Sequence, residues 1–299
     1  MTRPRRPLSL ASRAGLSALL LLAAADARAE DAGSPPPASS PAQSAPEPVD
    51  DLEVDRAEPD FNVVNLPTNL RIARHKLAFR VTHRFARPLG QGDFSDLLAD
   101  FFGFDGGAQI GLGLRFGLFT GTQLAFYRTS DRTIQFSLQQ ELLAHAGHPV
   151  GISVVGSVEG LDNFGEEYSP ALAVVVSRKL GRHGAVYAVP SWVGNTNLVG
   201  EPVSADESSL VLGLGARVLV SDSVALVAEY HPRLAGYRGD RGSGDRKALL
   251  GFGIEKRVGG HAFQLNFSND LGTTPAQTAR GQQGADDWFI GFNISRRFY

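Results

Sequence analysis

The sequence predicts an all-β fold: a transmembrane antiparallel up-and-down β-barrel of about twelve strands, preceded by an N-terminal signal peptide and a disordered linker. Three observations lead to this prediction. Apolar and polar residues alternate along most of the chain after residue 76, short turns alternate with long loops, and the amino terminus carries an export signal. Together they predict a protein of the bacterial outer membrane that is exported with a cleaved signal peptide.

The amino terminus has the parts of a secretory signal. A basic start is followed by the apolar run Leu16–Ala25, which is too short to span a bilayer comfortably, and then by Ala27 and Ala29 at cleavage spacing. We therefore assign residues 1–29 to a signal peptide. Residues 30–60 are rich in proline, alanine, serine and acidic residues. They are predicted to form a disordered periplasmic linker, because such a segment cannot bury enough apolar surface to fold.

The remaining chain divides into a short connecting segment and the barrel. Residues 61–75 allow two interpretations, a lead-in strand or a short plug that enters the lumen. Residues 76–299 form the predicted barrel. Eight stretches alternate clearly, three more alternate less clearly, and the closing strand brings the total to about twelve, each near the ~9–11 residues that a tilted membrane strand needs.

The closing strand, Trp288–Tyr299, shows the alternation most clearly. Successive side chains of a strand point to opposite faces, and one face collects the apolar residues Trp288, Ile290, Phe292, Ile294 and Phe298. The other face carries glycine, asparagine, serine and arginine. We expect outer-membrane lipid to contact the apolar face and the barrel-assembly machinery to bind this C-terminal strand.

Composition narrows the function classes. The chain has no cysteine, which excludes disulfides, thiolate metal sites and cysteine nucleophiles. Its 29 basic and 31 acidic residues give a net charge of -2, so no nucleic-acid partner is expected. The mean hydropathy of -0.10 is too low for a helical membrane protein, but it fits a barrel, whose strands average a lipid face with a wet face.

Charged residues take the phase opposite to the apolar residues, as expected if they face the lumen. An arginine at mid-membrane on the lipid face would cost about 2–4 kcal/mol. The predicted lumen charges are Arg80, Arg84, Arg115, Glu141, Glu159, Lys179, Arg217, Glu229, Arg233 and Glu255. Two interpretations remain open: a charged constriction that selects solutes by sign and size, or a salt-bridged interior that fills and stiffens a narrow barrel.

The first long loop contains a second feature with two interpretations. Residues 94–104 have apolar and acidic residues at helical spacing, which predicts a short amphipathic helix. The helix would either fold into the lumen as a constriction or pack on the outer rim.

The stretch from residue 77 to about residue 139 resembles a family of bacterial outer-membrane β-barrels known as a domain of unknown function. The shared features are the strand end Arg80–Phe85, a loop with Phe102, Gly103 and Asp105, and Arg128–Ser130 at a strand exit. The resemblance implies a barrel in the outer membrane. It implies no activity and no catalytic residues.

The leading functional hypothesis is a porin-like channel or transporter for small solutes. The alternative is a non-conducting outer-membrane barrel with a structural, adhesion or partner-binding role. A barrel phospholipase would need a histidine two residues from a serine nucleophile, and the sequence contains no His-x-Ser. We therefore expect no enzymatic activity, and we expect no cofactor and no bound metal.

Overall fold

The computed structural model describes residues 55–103, 106–197, 208–237, 247–281 and 287–298. The predicted signal peptide, residues 30–54 of the predicted linker and Tyr299 lie outside the described residues. The described strands are β1 (Leu77–Phe85), β2 (Ala108–Phe119), β3 (Thr122–Thr129), β4 (Ile134–Leu143), β5 (Gly151–Gly160), β6 (Glu166–Lys179), β7 (Gly184–Gly194), β8 (Ser208–Ser221), β9 (Val224–His231), β10 (Arg233–Gly236), β11 (Leu249–Val258), β12 (His261–Ser268) and β13 (Phe289–Phe298).

The strands form one closed antiparallel sheet. Each pairs with its neighbours in chain order, and β1 pairs with β13, so that Leu77 lies opposite Phe298. The short strand β10 continues β9 beyond Pro232, and both pair with β8. Proline lacks the N–H that a ladder bond needs, which explains the interruption. Counting β9 and β10 as one strand gives a barrel of twelve strands, and the predicted fold is confirmed.

The two ends of the barrel differ in their connections. One end, the turn rim, carries the start of β1, the end of β13 and the short turns β2–β3, β4–β5, β6–β7, β8–β9 and β11–β12. The other end, the loop rim, carries the first loop and the connections β7–β8 and β12–β13, which are longer. An even number of strands brings both ends of the barrel chain to the same rim, as is usual in outer-membrane barrels.

Alternation along each strand separates an outer apolar face from an inner polar face. Large apolar side chains such as Leu112, Leu114, Phe252 and Ile254 are exposed on the outside. The intervening positions face inward and are mainly glycine, serine, threonine, glutamine, asparagine and charged residues. The outer face is the surface that the bilayer covers, because hydrocarbon is the solvent in which exposed leucine and phenylalanine are stable.

The loop rim carries the predicted helix of the first loop. Helix α1 (Phe94–Ala99) begins at Asp93, whose carboxylate accepts hydrogen bonds from the backbone of Ser95 and Asp96, and a 3₁₀ turn (Phe101–Gly103) follows. The helix has no buried residue, and Phe94 and Phe101 are exposed. It therefore lies at the outer rim and does not fold into the lumen.

Two short helices complete the fold. Helix α2 (Leu161–Phe164) joins β5 to β6, and helix α3 (Pro275–Arg280) lies in the last loop. No helix in the described residues is long and apolar enough to cross a membrane. Helix α3 enters the barrel from the loop rim, because Ala276 and Ala279 are buried against Val193 and Val211.

Candidate functional site

Residues 55–75, here called the luminal segment, fill the barrel from the turn rim. Val63, Val64 and Thr68 have no exposed surface. Val63, Val64 and Leu66 pack in one cluster with Val175, Tyr187, Val189 and Val227 of the inner wall. Within the segment, the backbone forms a single isolated β-bridge, between Asn62 and Pro67. Residues 61–75 are therefore a plug in the lumen and not a lead-in strand.

The sequence-based boundary between linker and plug requires a correction. Residues 57–60, assigned to the linker, lie inside the barrel, and Ala57, Glu58 and Asp60 are almost fully buried. The acidic composition predicted a solvated linker, but the two carboxylates have hydrogen-bond partners inside the barrel. The carboxylate of Glu58 accepts a hydrogen bond from the backbone N–H of Asn69 (3.0 Å), and that of Asp60 accepts one from the Ser295 hydroxyl (3.0 Å).

Glu229, on the inner face of β9, forms several hydrogen bonds with one bend of the luminal segment. One oxygen of its buried carboxylate accepts hydrogen bonds from three successive backbone N–H groups, those of Val64 (2.9 Å), Asn65 (2.8 Å) and Leu66 (2.8 Å). The other oxygen lies 3.4 Å from Nε2 of His231. A carboxylate that receives several N–H groups is a strong, charge-assisted acceptor. Glu229 therefore fixes the tight bend at residues 64–66.

Wall amides bind the segment along its length. Gln264 donates to the carbonyl of Val63, Asn293 to that of Val64, Gln139 to that of Thr68 and Gln123 to that of Leu70, at 2.6–3.1 Å. These residues lie on β12, β13, β4 and β3, so the segment is held from several sides of the barrel. None of the four was among the charges predicted from the sequence. Side-chain amides suit this role because they can donate hydrogen bonds to backbone carbonyls. The carbonyls of the plug need such donors, because the plug does not pair them in a helix or sheet of its own.

Five of the ten predicted lumen charges form ion pairs or carboxylate contacts with the segment or with another strand of the wall. Arg217 pairs with Glu255 at 3.0 Å, and its guanidinium also donates to the carbonyl of Asn62. Lys179 pairs with Asp55, and Glu141 lies 3.8 Å from Arg71. Glu229 is the fifth. These charges therefore mainly bind the plug to the barrel wall.

The pair Lys179–Asp55 lies at the turn rim, where the segment enters the barrel. Burial alone would raise the pKa of Asp55, but the hydrogen bond and the charge of Lys179 outweigh it and hold this pKa below its usual value. Asp55 is therefore a carboxylate at neutral pH and binds the segment to the end of β6.

Three arginines on β1 and β2 have only neutral partners. Arg80 donates to the carbonyl of Val64, and its Nη1 is buried without a partner. Arg84 has no exposed surface and donates to Asn293, Asn65 and the carbonyl of His83. Arg115 donates to Gln139 (3.2 Å) and stacks on the ring of Phe61 at 4.8 Å. The wall next to these arginines is consequently rich in positive charge.

The remaining two predicted charges bind different loops at the loop rim. Glu159 accepts hydrogen bonds from the hydroxyl of Thr274 (2.9 Å) and the N–H of Ala276 (3.1 Å) in the last loop, and Arg280 lies 3.8 Å away. Arg233 donates to the carbonyl of Tyr237 (2.8 Å), just after β10. Through α3, the described part of the last loop lies in the loop-rim side of the lumen.

Replacing Glu159 by alanine is expected to release α3 from the wall. The N-terminal turn of the helix would lose the acceptor of two donors, and Arg280 would lose the carboxylate that lies 3.8 Å away. Hydrogen–deuterium exchange of the peptide that covers residues 270–281 is expected to accelerate about tenfold or more, since a hydrogen bond to a charged group contributes about 1.5–3 kcal/mol. Glu166→Ala, which removes an exposed carboxylate at the same rim, is the matched control. Equal exchange in both variants would contradict this role of Glu159.

A cavity of about 170 Å³ remains between the luminal segment and α3. The segment contributes Phe61, Asn62 and Asn65–Pro67, and the last loop contributes Thr273–Pro275 and Thr278. The wall contributes Arg80, Arg115 and Tyr127 among others. Within the described residues, no group of three His, Asp or Glu side chains could hold a metal ion.

Glycines on β8 make room for the plug. A Cβ atom at Gly213 would lie 2.1 Å from Cδ1 of Leu66, and one at Gly215 would lie 2.7 Å from Cδ2 of the same side chain. Both distances are far below van der Waals contact, so a larger residue at either position would require Leu66 to move. Wall and plug are complementary in shape as well as in hydrogen bonding.

The solved structures that are similar to this chain include outer-membrane porins and channels. The NanC porin aligns with a TM-score of 0.48 at 8% identity, over 74% of this chain and 100% of that one. An outer membrane channel from Pseudomonas putida F1 aligns with a TM-score of 0.45 at 13% identity, over 76% and 97%. The outer membrane protein Omp33 of Acinetobacter baumannii aligns with a TM-score of 0.39 at 10% identity, over 75% and 98%. None of the curated proteins is significantly similar in sequence to this chain.

The sequence also matches a family model, over residues 60–298. That family is described as a membrane bound beta barrel domain, DUF5777, and the matched range includes most of the luminal segment together with all twelve strands. The outward apolar face and the closed sheet agree with this description. The chain therefore belongs to the DUF5777 family of membrane-bound β-barrels.

Proposed function

We propose that the protein is a channel for small solutes whose lumen is closed by the luminal segment. The observation that carries this proposal is the way the segment is held. Its backbone is bound by wall side chains, whereas the wall strands pair with one another around the whole circumference. The segment can therefore leave the lumen while every ladder hydrogen bond of the barrel stays intact.

The inner wall is suited to an aqueous path once the segment has left. Inward positions such as Ser137, Ser157, Ser191 and Gly213 are small or polar. A barrel that is permanently solid fills its interior with its own larger side chains, as narrow eight-stranded barrels do. Here a separate piece of chain fills the space, and its removal would leave a wide polar lumen.

A histidine next to a serine is the one local feature that favours a hydrolytic function, and its surroundings argue against that function. Nε2 of His145 lies 2.8 Å from the hydroxyl of Ser177, near the turn rim. Ser177 is buried, and its hydroxyl also accepts a hydrogen bond from Asn69 (2.8 Å). A nucleophile needs a free path to its substrate. We therefore propose no enzymatic role.

A second candidate function is a non-conducting barrel that binds a partner at the loop rim. The exposed apolar residues Phe94, Leu98 and Phe101 of the first loop favour it, since exposed apolar patches are common at protein interfaces. A measurement of current distinguishes the two candidates.

Single-channel recording in planar bilayers tests the channel. We expect the full-length protein to conduct rarely and weakly, and a variant lacking residues 55–75 to give large stepwise currents. Heat-dependent mobility on detergent gels verifies that the deletion variant is a folded barrel. A folded deletion variant without current would refute the channel and support the non-conducting barrel.

A further inference from the structure

We propose that the cavity between the luminal segment and α3 is a binding site for a small organic carboxylate, with a cationic side that holds the carboxylate and an apolar side that holds its hydrocarbon part. The inference rests on the proposed function only in treating this anion as a solute of the channel, because binding itself requires no conduction. Three features of the cavity support it: its charge, its apolar wall and its hydroxyl groups.

The cationic side consists of Arg80 and Arg115. They lie on the inner faces of β1 and β2, where Arg80 is opposite Gly113 and Arg115 is opposite Ala78, so the two guanidinium groups are diagonal neighbours across one strand pair. Both line the cavity. Neither forms a salt bridge within the part of the chain that the structure describes, and Nη1 of Arg80 is buried without a hydrogen-bond partner.

This excess of positive charge is only partly offset by the surroundings, because the carboxylates of Asp60 and Glu229 interact electrostatically with Arg115 and Arg84 but form no ion pair with them in the described structure. Arg84, four residues along β1, is fully buried, and its hydrogen-bond partners are also neutral. The carboxylates of the same region have other donors. Asp60 accepts from Ser295 and from the N–H of Phe61, and Glu229 accepts from three backbone N–H groups of the segment. Buried charges are normally paired, because removing an ion from water is costly without a counter-ion. An anion in the cavity would supply that partner.

The opposite side of the cavity is mainly apolar, although Ser157 and Ser191, on β5 and β7, also line it. Val155, Ala173, Val189 and Val211, on β5 to β8, line it together with Leu66 of the segment. An inorganic anion such as phosphate would leave this surface without a favourable contact. A carboxylate with a short chain or a single ring would cover it, and removing this apolar surface from water favours binding.

Hydroxyl groups lie between the two sides. The Tyr127 hydroxyl shares a hydrogen bond with Thr82 and donates to Thr273 (2.9 Å), and all three residues line the cavity. Because Thr273 belongs to the last loop, the loop contributes directly to this lining. The volume of about 170 Å³ exceeds the roughly 30 Å³ that one water occupies in the liquid, so the cavity has room for a small organic anion.

The test is calorimetric titration of the full-length, detergent-purified protein with benzoate. We expect saturable binding, and at least about tenfold weaker binding of benzamide, which has the same shape without the charge. Arg115→Gln is expected to weaken benzoate binding about tenfold or more, whereas Arg115→Lys, which keeps the charge, is expected to retain part of it. Arg178→Gln, at an exposed position of β6, is the matched control and is expected to bind as the wild type does.

A second variant tests the cavity without changing a charge. Ala173→Phe places a ring in the cavity and is expected to abolish benzoate binding, while heat-dependent gel mobility verifies the folded barrel. The proposal is overturned if benzoate does not bind, if benzamide binds equally well, if both Arg115→Gln and Ala173→Phe bind normally, or if phosphate binds in preference to benzoate. Binding by a protein whose deletion variant conducts no current would leave the site intact and refute only the channel.

Discussion

Replacing Glu229 by alanine is expected to free the luminal segment from the barrel wall. The substitution removes the acceptor of three buried N–H groups, and an unsatisfied buried donor costs about 1–3 kcal/mol. No other single side chain bonds to three successive N–H groups of the segment in the described structure. We therefore expect the segment to spend a large part of its time outside the lumen, and the channel current to rise accordingly.

Thiol labelling measures this release directly, because the natural chain has no cysteine. In a Val63→Cys background the thiol occupies a position with no exposed surface, so a water-soluble maleimide is expected to react slowly. Adding Glu229→Ala is expected to accelerate labelling at least about tenfold, in proportion to the lost binding free energy. Glu229→Gln, which keeps one acceptor oxygen, is expected to give an intermediate rate.

The matched control is Glu141→Ala. Glu141 is also a wall carboxylate that contacts the segment, but it lies 3.8 Å from Arg71 and both side chains are partly exposed. Partly exposed ion pairs contribute at most about 1 kcal/mol, so this variant is expected to label nearly as slowly as its parent. Similar rates for Glu229→Ala and Glu141→Ala would show that the segment is held mainly by shape and by the wall amides.

The contrast between strands and plug shows what the sequence could predict. Strand alternation is a local pattern with a period of two, and it predicted the number of strands and the inward direction of Arg217 and Glu229. The plug has no such period. Its main contact joins Val64 to Glu229, which are 165 residues apart in the chain. No local pattern in the sequence indicates that these two residues meet. For the same reason, acidic residues such as Glu58 appeared solvated in sequence and are buried in the structure.

Helix α3 is a case in which an available signal was missed. Thr274 accepts a hydrogen bond from the N–H of Gln277, the Gln277 side chain accepts one from the N–H of Thr274, and Pro275 occupies the first helical position. This capping box with proline at the start is a pattern that sequence alone contains. Its inward position depends on Glu159, which is 115 residues away from Thr274. The helix could therefore be predicted, but its place in the lumen could not.

Arg217→Gln is expected to destabilise the barrel by about 3–5 kcal/mol, because it leaves Glu255 as a buried carboxylate without its cation. The side chains of this pair are 0% and 2% exposed, and their atoms are 3.0 Å apart. Urea unfolding in detergent or lipid vesicles gives the free energy of unfolding. Arg56→Gln is the control, since Arg56 and Asp222 are also 3.0 Å apart but 54% and 87% exposed. Its expected loss is below about 1 kcal/mol.

A double-mutant cycle separates the ion pair from the other contacts of Arg217. Arg217→Met combined with Glu255→Leu removes both charges, and the combined loss is expected to be smaller than the sum of the two single losses by about 1–3 kcal/mol, as for residues in direct contact. Part of the loss remains because Arg217 also donates to the carbonyl of Asn62 in the plug. The cycle run on the variant lacking residues 55–75 removes that contribution. Additive losses in both backgrounds would show that the two charges are stabilised by their surroundings and not by each other.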